Sequence, residues 1–378
     1  CGISPVCISN VDLQYSHERI TTRFLEWDRT LGGGIVKESV ILLAGMPGIG
    51  KSTLLLTIAN DIAATQKVLY ISSEESVQQI KLRAMRLNIG QSNNVFVVHA
   101  VDASVIRQII DDIRPDVVFL DSLQNLFFND SFLTSNMYKI KQIVHELSEH
   151  AREKKYALIG TCHVTKDGEI AGPKAIEHIV DVVLYLEGES TSQTRIIKTT
   201  KNRFGNTQEA GFFLMTDTGL VECVDPQSFL IEHKEPAIGA ALTWHCEGSR
   251  IFLTEIQTLL HKTKVGFGQR IIQGIEQKQL ILVCAVLEKY LKMNLSDYDI
   301  FCKVSGNIKL SSPHTDLALA AALFSSYFMI TPKKPTVFYG EIGLSGGITH
   351  VFSAAKPLLS LFDRYAIDVL VGPNKDST

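Results

Sequence analysis

The chain is poor in cysteine and tryptophan, and it has no long apolar run. Of its 378 residues, 7 are cysteine and 2 are tryptophan. So few cysteines in so long a chain make no disulfide framework. Cys162, Cys223, Cys246, Cys284 and Cys302 stand singly, mostly within apolar stretches. They are expected to be small core residues in a reducing, cytoplasmic setting. Cys1 and Cys7 are the one close pair. A four-cysteine zinc site needs two pairs at shorter spacing, so zinc is not expected. No apolar run approaches the roughly 20 residues that span a bilayer. No basic head with an apolar core marks a secretion signal. The chain opens on Cys1 rather than Met, and residues 1–19 are expected to be the remnant of a longer segment. Charge of one sign is missing as well. The formal net charge is −3, so no global basic field advertises nucleic acid, and any such contact has to be local.

What remains is ordinary globular composition, 45% apolar and 20% charged. The length predicts two to three domains. From about Ser39 to Val221 the chain alternates short β-branched runs with amphipathic helices. SVILLAG, KVLYIS, NVFVVHA, DVVFLD and YALIGTC read as buried strands. Strand–helix alternation predicts an α/β fold, a mostly parallel sheet covered on both faces. DVVLYLEG, RIIKTTKNRF and GFFLMT follow as consecutive strands, an antiparallel extension. A proline-bearing stretch at 225–240 breaks the rhythm and is expected to be a linker. It separates a first α/β domain at 20–224 from a second α/β unit at 241–378. That unit contains SRIFLTEIQTLL, DIFCKVSG, TVFYGEIG and DVLVG as strands, and QKQLILVCAVLEKYLKM, TDLALAAALFSSYF and SAAKPLLSLFDRY as helices.

Gly45-Met46-Pro47-Gly48-Ile49-Gly50-Lys51-Ser52 matches the full phosphate-binding loop, with a strand before it and a helix after. Glycines let the backbone wrap phosphates with its N–H groups inward. Lys51 reaches the β- and γ-phosphates, Ser52 offers a hydroxyl to Mg2+, and Thr53 follows in the first helical turn. ATP with Mg2+ is therefore the expected cofactor. VVFLD ends in Asp121, where a metal-facing carboxylate should emerge from a strand tip. KVLYISSEES closes another strand with Glu74-Glu75. RecA-type ATPases activate water with an acidic pair at this place, and Glu74 is the expected general base with Glu75 as the fallback. His163 follows YALIGTC and is expected to sense the γ-phosphate, with a satisfied core histidine as the rival reading.

TTRFLEWDRTLGGGIV, the run HVTKDGEIAGPKAIEHIVD and Lys201-Asn202-Arg203-Phe204-Gly205 together resemble the RadA/Sms family of bacterial DNA-repair ATPases, a RecA-type motor joined to a Lon-protease-like domain. The resemblance covers nearly the whole chain from about Ile20. It implies a homohexameric ring with ATP at subunit interfaces. It also implies binding of single-stranded and branched DNA, and branch migration or strand-exchange extension beside the RecA recombinase. Lys201 and Arg203 alternate along a strand end. With the resemblance they are expected to reach a neighbour's γ-phosphate or to contact DNA phosphate; without it, K-x-R reads as a solvated strand end. Lys166 and Lys174, with Gly168 and Gly172 between them, are placed like a DNA-binding loop. Phe127 and Phe128 could stack bases or simply pack in the core. Two departures stand out. The family usually opens on a four-cysteine zinc finger, absent or cut away here, and Cys162 stands where a glycine is expected before His163.

Lon proteases carry their serine in an Asp-Gly-Pro-Ser-Ala-Gly run and activate it with a lysine. The matching stretch here is Pro313-His314-Thr315-Asp316-Leu317-Ala318, so Asp316 falls where the serine should be. Lys356 lies near the lysine's place, and Ser311 and Ser312 are out of register. A peptidase-inactive scaffold domain is therefore expected. Two other readings remain at this point. One is an ATP-gated RecA-like signalling protein whose partner is protein rather than DNA. The other is an ATP-dependent peptidase.

Overall fold

Apolar residues on both sides of a strand can be buried only if helices cover both faces of its sheet. A computed structural model shows that arrangement. It describes residues 7, 18–127, 136–164, 176–188, 193–207, 209–223, 235–247, 250–263, 268–349 and 369–372. The chain divides into two compact units, Cys1–Val224 and Asp225–Thr378.

The first unit opens with β1 (Arg19–Ile20), α1 (Leu25–Thr30) and β2 (Ile35–Val36). Then come β3 (Val40–Gly45), α2 (Lys51–Ile62), β4 (Val68–Ser72), α3 (Val77–Arg86), β5 (Val95–His99), α4 (Ala103–Ile113) and β6 (Val117–Asp121). They are followed by α5 (Asn136–Lys154), β7 (Ala157–His163), β8 (Val182–Glu187), β9 (Thr194–Asn202), β10 (Ala210–Thr216) and β11 (Gly219–Glu222). Nine strands form one sheet in the order β11-β10-β9-β8-β3-β7-β6-β4-β5. From β8 to β5 all neighbours are parallel, whereas β8, β9, β10 and β11 pair antiparallel. Ile41 and Leu43 of β3 pack on one face with Leu54, Leu55 and Ile58 of α2. Val40 and Leu42 pack on the other with Ile106 and Ile110 of α4 and Ile143 and Leu147 of α5. Each such side chain contributes about 1.5–3 kcal/mol when fully buried. Helix starts follow local chemistry: Ser76 and Gln79 close a capping box on α3, and Asp102 caps α4 by accepting from Ser104 N–H at 2.8 Å.

NVFVVHA is a strand but not a buried one. β5 closes the sheet at its edge, and Phe96 is exposed. An apolar run has the same composition at an edge as at a centre, so only the strand order distinguishes them.

The second unit contains β12 (Ala240–Glu247), β13 (Arg250–Lys262), β14 (Arg270–Gln273), α6 (Gln277–Leu291), β15 (Tyr298–Val304), α7 (Asp316–Phe328), β16 (Thr336–Phe338), β17 (Glu341–Ile342), β18 (Ile348–Thr349) and β19 (Val369–Val371). Six strands run in the order β14-β15-β13-β12-β16-β19. Ile256, Ile300, Cys302 and Val304 share a core with Leu280, Val283 and Leu287 of α6 and Leu319 and Leu323 of α7. TVFYGEIG is broken in two at Gly340, whose φ is 149° and whose N–H donates to His314 O at 2.7 Å. The stretch SAAKPLLSLFDRY lies outside the described residues. Cys162, Cys223, Cys284 and Cys302 are buried as expected, but Cys246 is exposed. Burial pushes the Cys284 thiol up to about 11 and Cys302 up to about 12. No helix among the described residues is long and apolar enough to cross a membrane.

Candidate active site

The parallel strands β3, β7, β6 and β4 all end at one edge of the sheet, and side chains from each of those ends meet there. β3 stops at Gly45 and the chain turns into α2. Gly48 (φ 75°) and Gly50 (φ 116°) both take the left-handed region that disfavours any side chain. A Cβ on Gly45 would also stand 2.8 Å from Leu186 O. These glycines are therefore demanded by backbone geometry as well as by phosphate access. Pro47 is exposed, Met46 and Ser52 are half-buried, and Ile49 is buried.

Lys51 is 4% exposed. Its ammonium donates to Gly45 O at 2.8 Å and Met46 O at 2.9 Å, and meets His163 Nδ1 at 2.9 Å. Burial pulls its pKa below the usual value, against the opposing pull of Asp121. An ammonium can only donate, so Nδ1 accepts and the imidazole proton sits on Nε2. That edge faces Glu74 Oε1 at 3.3 Å. The same oxygen accepts from Ser122 Oγ at 2.6 Å. Lys51, His163, Glu74 and Ser122 thus form one chain of contacts. Glu75 turns away, accepting from the Arg83 guanidinium of α3.

Asp121, at the tip of β6, is held by both oxygens. Tyr70 donates to Oδ2 at 2.9 Å and Thr161 to Oδ1 at 2.7 Å. Burial, and then the neighbouring Asp121 charge, drive the Tyr70 phenol well above its ordinary pKa, which keeps it a donor. His163 is 30% exposed at its side chain, so the core-histidine reading does not describe it. Cys162 is buried beside it, its thiol pushed up to about 11 by desolvation.

Lys201 and Arg203 are not brought to this site. β9 runs antiparallel to β8, and Asn202 pairs with Val182, level with Ile41 at the start of β3. Asn202, between the two cations, is thus four residues, about 13 Å along the strand, below the level of Gly45. Both cations do face one way, but onto their own chain. Lys201 Nζ donates to Glu177 O at 2.6 Å and Val180 O at 2.9 Å, and Arg203 Nη1 pairs with Asp181 Oδ1 at 3.1 Å. Phe127 is exposed rather than core, with its N–H on Val101 O and its carbonyl accepting from Ala103 N–H, both at 3.0 Å. Phe128, Lys166, Gly168, Gly172, Lys174 and Lys356 lie outside the described residues.

Five residues of the site escaped sequence reading, Ser122 among them through its bond to Glu74. Tyr70 and Thr161 hold Asp121. Buried Arg195 on β9 donates from Nε to Ile49 O at 3.1 Å, fixing the loop backbone from behind. Gln124 donates to His163 O at 3.2 Å. Only the register of neighbouring strands brings them in.

In the second unit Asp316 begins α7, accepts from Gln279 Nε2 at 2.7 Å and from Ile342 N–H at 3.2 Å, and is nearly buried. Desolvation raises its pKa. Ser312 Oγ lies 2.6 Å from His314 Nδ1, while His314 Nε2 meets Trp244 O at 2.7 Å and its ring stacks on Trp244.

A glycine loop at a helix start, a strand-tip carboxylate and an acidic residue on the adjoining strand define a RecA-type P-loop ATPase. The comparisons agree. The family model for the AAA domain matches residues 14–169. A DNA repair protein RadA of Aquifex aeolicus is 43% identical over 336 residues, 89% of this chain and 76% of that one. RadA of Listeria monocytogenes is 40% identical over 89% of this chain and 74% of its own. RadA of Bacillus subtilis is 40% identical over 88% and 73%. The chain belongs to the RadA family of DNA repair ATPases.

Proposed function

We propose that the chain is a ring-forming, DNA-dependent ATPase that works on single-stranded and branched DNA in homologous recombination, extending strand exchange beside the RecA recombinase. The carrying observation is the contact chain Lys51–His163–Glu74, which links the phosphate-binding lysine to the acid best placed to activate water. In this reading Lys51 leaves the Gly45 and Met46 carbonyls for the phosphates. Glu74 accepts the proton of the attacking water. His163 registers whether Lys51 has moved. Ser52 and Asp121 fit Mg2+, which takes few protein ligands, keeps several waters and neutralises charge on the phosphates. Asp121, held by Tyr70 and Thr161, would present a fixed carboxylate to the ion.

The distance of Lys201 and Arg203 from their own P-loop favours action on a neighbour's nucleotide, and hence a homo-oligomer, with a hexamer as the proposed ring. Phe127, exposed on an anchored turn, and Arg203 are the described candidates for DNA contact, and Phe128, Lys166 and Lys174 are proposed with them. The test is ATP turnover with and without single-stranded DNA over a range of salt. Several-fold stimulation that weakens as salt rises is expected, because phosphate contacts release counterions. Turnover indifferent to DNA at every salt concentration sinks the reading.

For the Lon-like second unit we propose a peptidase-inactive scaffold. Asp316 supports this, since it is engaged by Gln279 and Ile342 and is no acyl-forming group. Casein is expected to stay intact with ATP present, and Ser312→Ala to leave ATP turnover within about two-fold, a change far from any mechanism that yields large effects. Cleavage that disappears in Ser312→Ala would revive the peptidase.

A further inference from the structure

We infer that Gln124 is a positioning residue that couples the state of the nucleotide site to the turn bearing Phe127. The inference rests on the DNA-dependent reading above and adds a part to it. Gln124 lies in the 3-10 turn Leu123–Asn125 that follows the Asp121 strand. Its amide donates to His163 O at 3.2 Å and contacts Cys162 Sγ at 3.6 Å. The imidazole of His163 holds Lys51 on one edge and Glu74 on the other. One residue therefore touches the phosphate-binding lysine and the proposed base with its ring, and Gln124 with its main chain.

The far end of the turn is equally tied. Leu126 is buried, and Phe127 bonds through both backbone groups to Val101 and Ala103 while its ring stays exposed. A turn packed at Leu126 and gripped at Gln124 moves with the end of β7. The switch lies in the lysine. A triphosphate competes for Lys51 Nζ, which now donates to Gly45, Met46 and His163. When Lys51 leaves, His163 Nδ1 loses its donor, and the ring and the backbone behind it reset against Gln124. Linkage is reciprocal, so DNA bearing on the Phe127 turn biases the same histidine.

The test uses the full chain and reads ATP turnover with and without oligo-dT, together with the thermal midpoint. Gln124→Glu keeps the side-chain length but cannot donate to a carbonyl. Gln124→Ala vacates the contact. Cys162→Ala removes only the weaker sulfur contact. Both Gln124 variants are expected to lose most of the stimulation, bringing the ratio of stimulated to unstimulated turnover towards one. The thermal midpoint holds, turnover without DNA falls less than turnover with it, and Cys162→Ala keeps the wild-type ratio. A full ratio in both Gln124 variants overturns the inference. So does a parallel fall of both rates with the midpoint, which marks a merely structural residue. Wild-type protein that DNA does not stimulate overturns the DNA-dependent reading itself, and is told apart because no variant is needed to see it.

Discussion

Glu74→Gln is expected to slow ATP turnover by about 10²–10⁴-fold, the usual worth of a positioned general base, and to leave nucleotide bound. Glutamine has the shape of glutamate and can still accept from Ser122 Oγ, which lies 2.6 Å from the carboxylate. It has no basicity. The loss then belongs to proton transfer, since the phosphates are expected to meet Lys51 and the loop rather than Glu74. The neighbouring acid is the control. Glu75 is paired with Arg83 on α3, and Glu75→Gln only weakens a partly exposed ion pair, worth about 0–1 kcal/mol. Turnover in Glu75→Gln is therefore expected to stay within a few-fold. Steady-state phosphate release and calorimetric nucleotide binding separate the two. A larger loss in Glu75→Gln than in Glu74→Gln would exchange their roles.

Sequence could find the acidic pair but not choose between its members by contact. Two adjacent residues at a strand tip point in different directions, and their targets lie on other strands. Ser122 follows β6 and His163 ends β7, strands brought near β4 only in the folded order β7-β6-β4. The loop Gly45–Ser52 was legible because its chemistry is local: left-handed turns need glycine, and the helix start is adjacent. Tyr70, Thr161, Gln124 and Arg195 were not, for the reason that hid the edge position of β5: strand order is a long-range property. β12 was missed on other grounds. Its inward residues include Thr243 and His245, polar side chains that break an apolar alternation, yet both are buried, and His245 Nδ1 meets Thr254 Oγ1 at 2.8 Å across the ladder. The alternation of Lys201 and Arg203 was correct as a direction, but their present partners on 177–181 depend on how β9 folds back along β8.

Lys51→Ala is expected to reduce turnover by at least about 10²–10³-fold, the loss that follows removal of one preorganised charge-stabilising donor, and to weaken nucleotide binding as well. Stability should barely change, by no more than about 1 kcal/mol. Two effects oppose each other there. Three contacts vanish, to Gly45 O, Met46 O and His163 Nδ1. A buried ammonium, whose desolvation already lowers its pKa, vanishes with them. The loop carbonyls it leaves sit beside exposed Pro47 and can take water instead. The lowered pKa adds a second readout with a definite sign. In the empty site burial disfavours the charged amine, and a polyanionic phosphate favours it. At alkaline pH the wild-type protein therefore takes up protons as nucleotide binds, and Lys51→Ala does not. Calorimetry in buffers of differing ionisation enthalpy measures that uptake directly. Equal proton uptake in both proteins would move the phosphate-binding charge to another residue, and unimpaired turnover in Lys51→Ala would remove the loop from catalysis altogether.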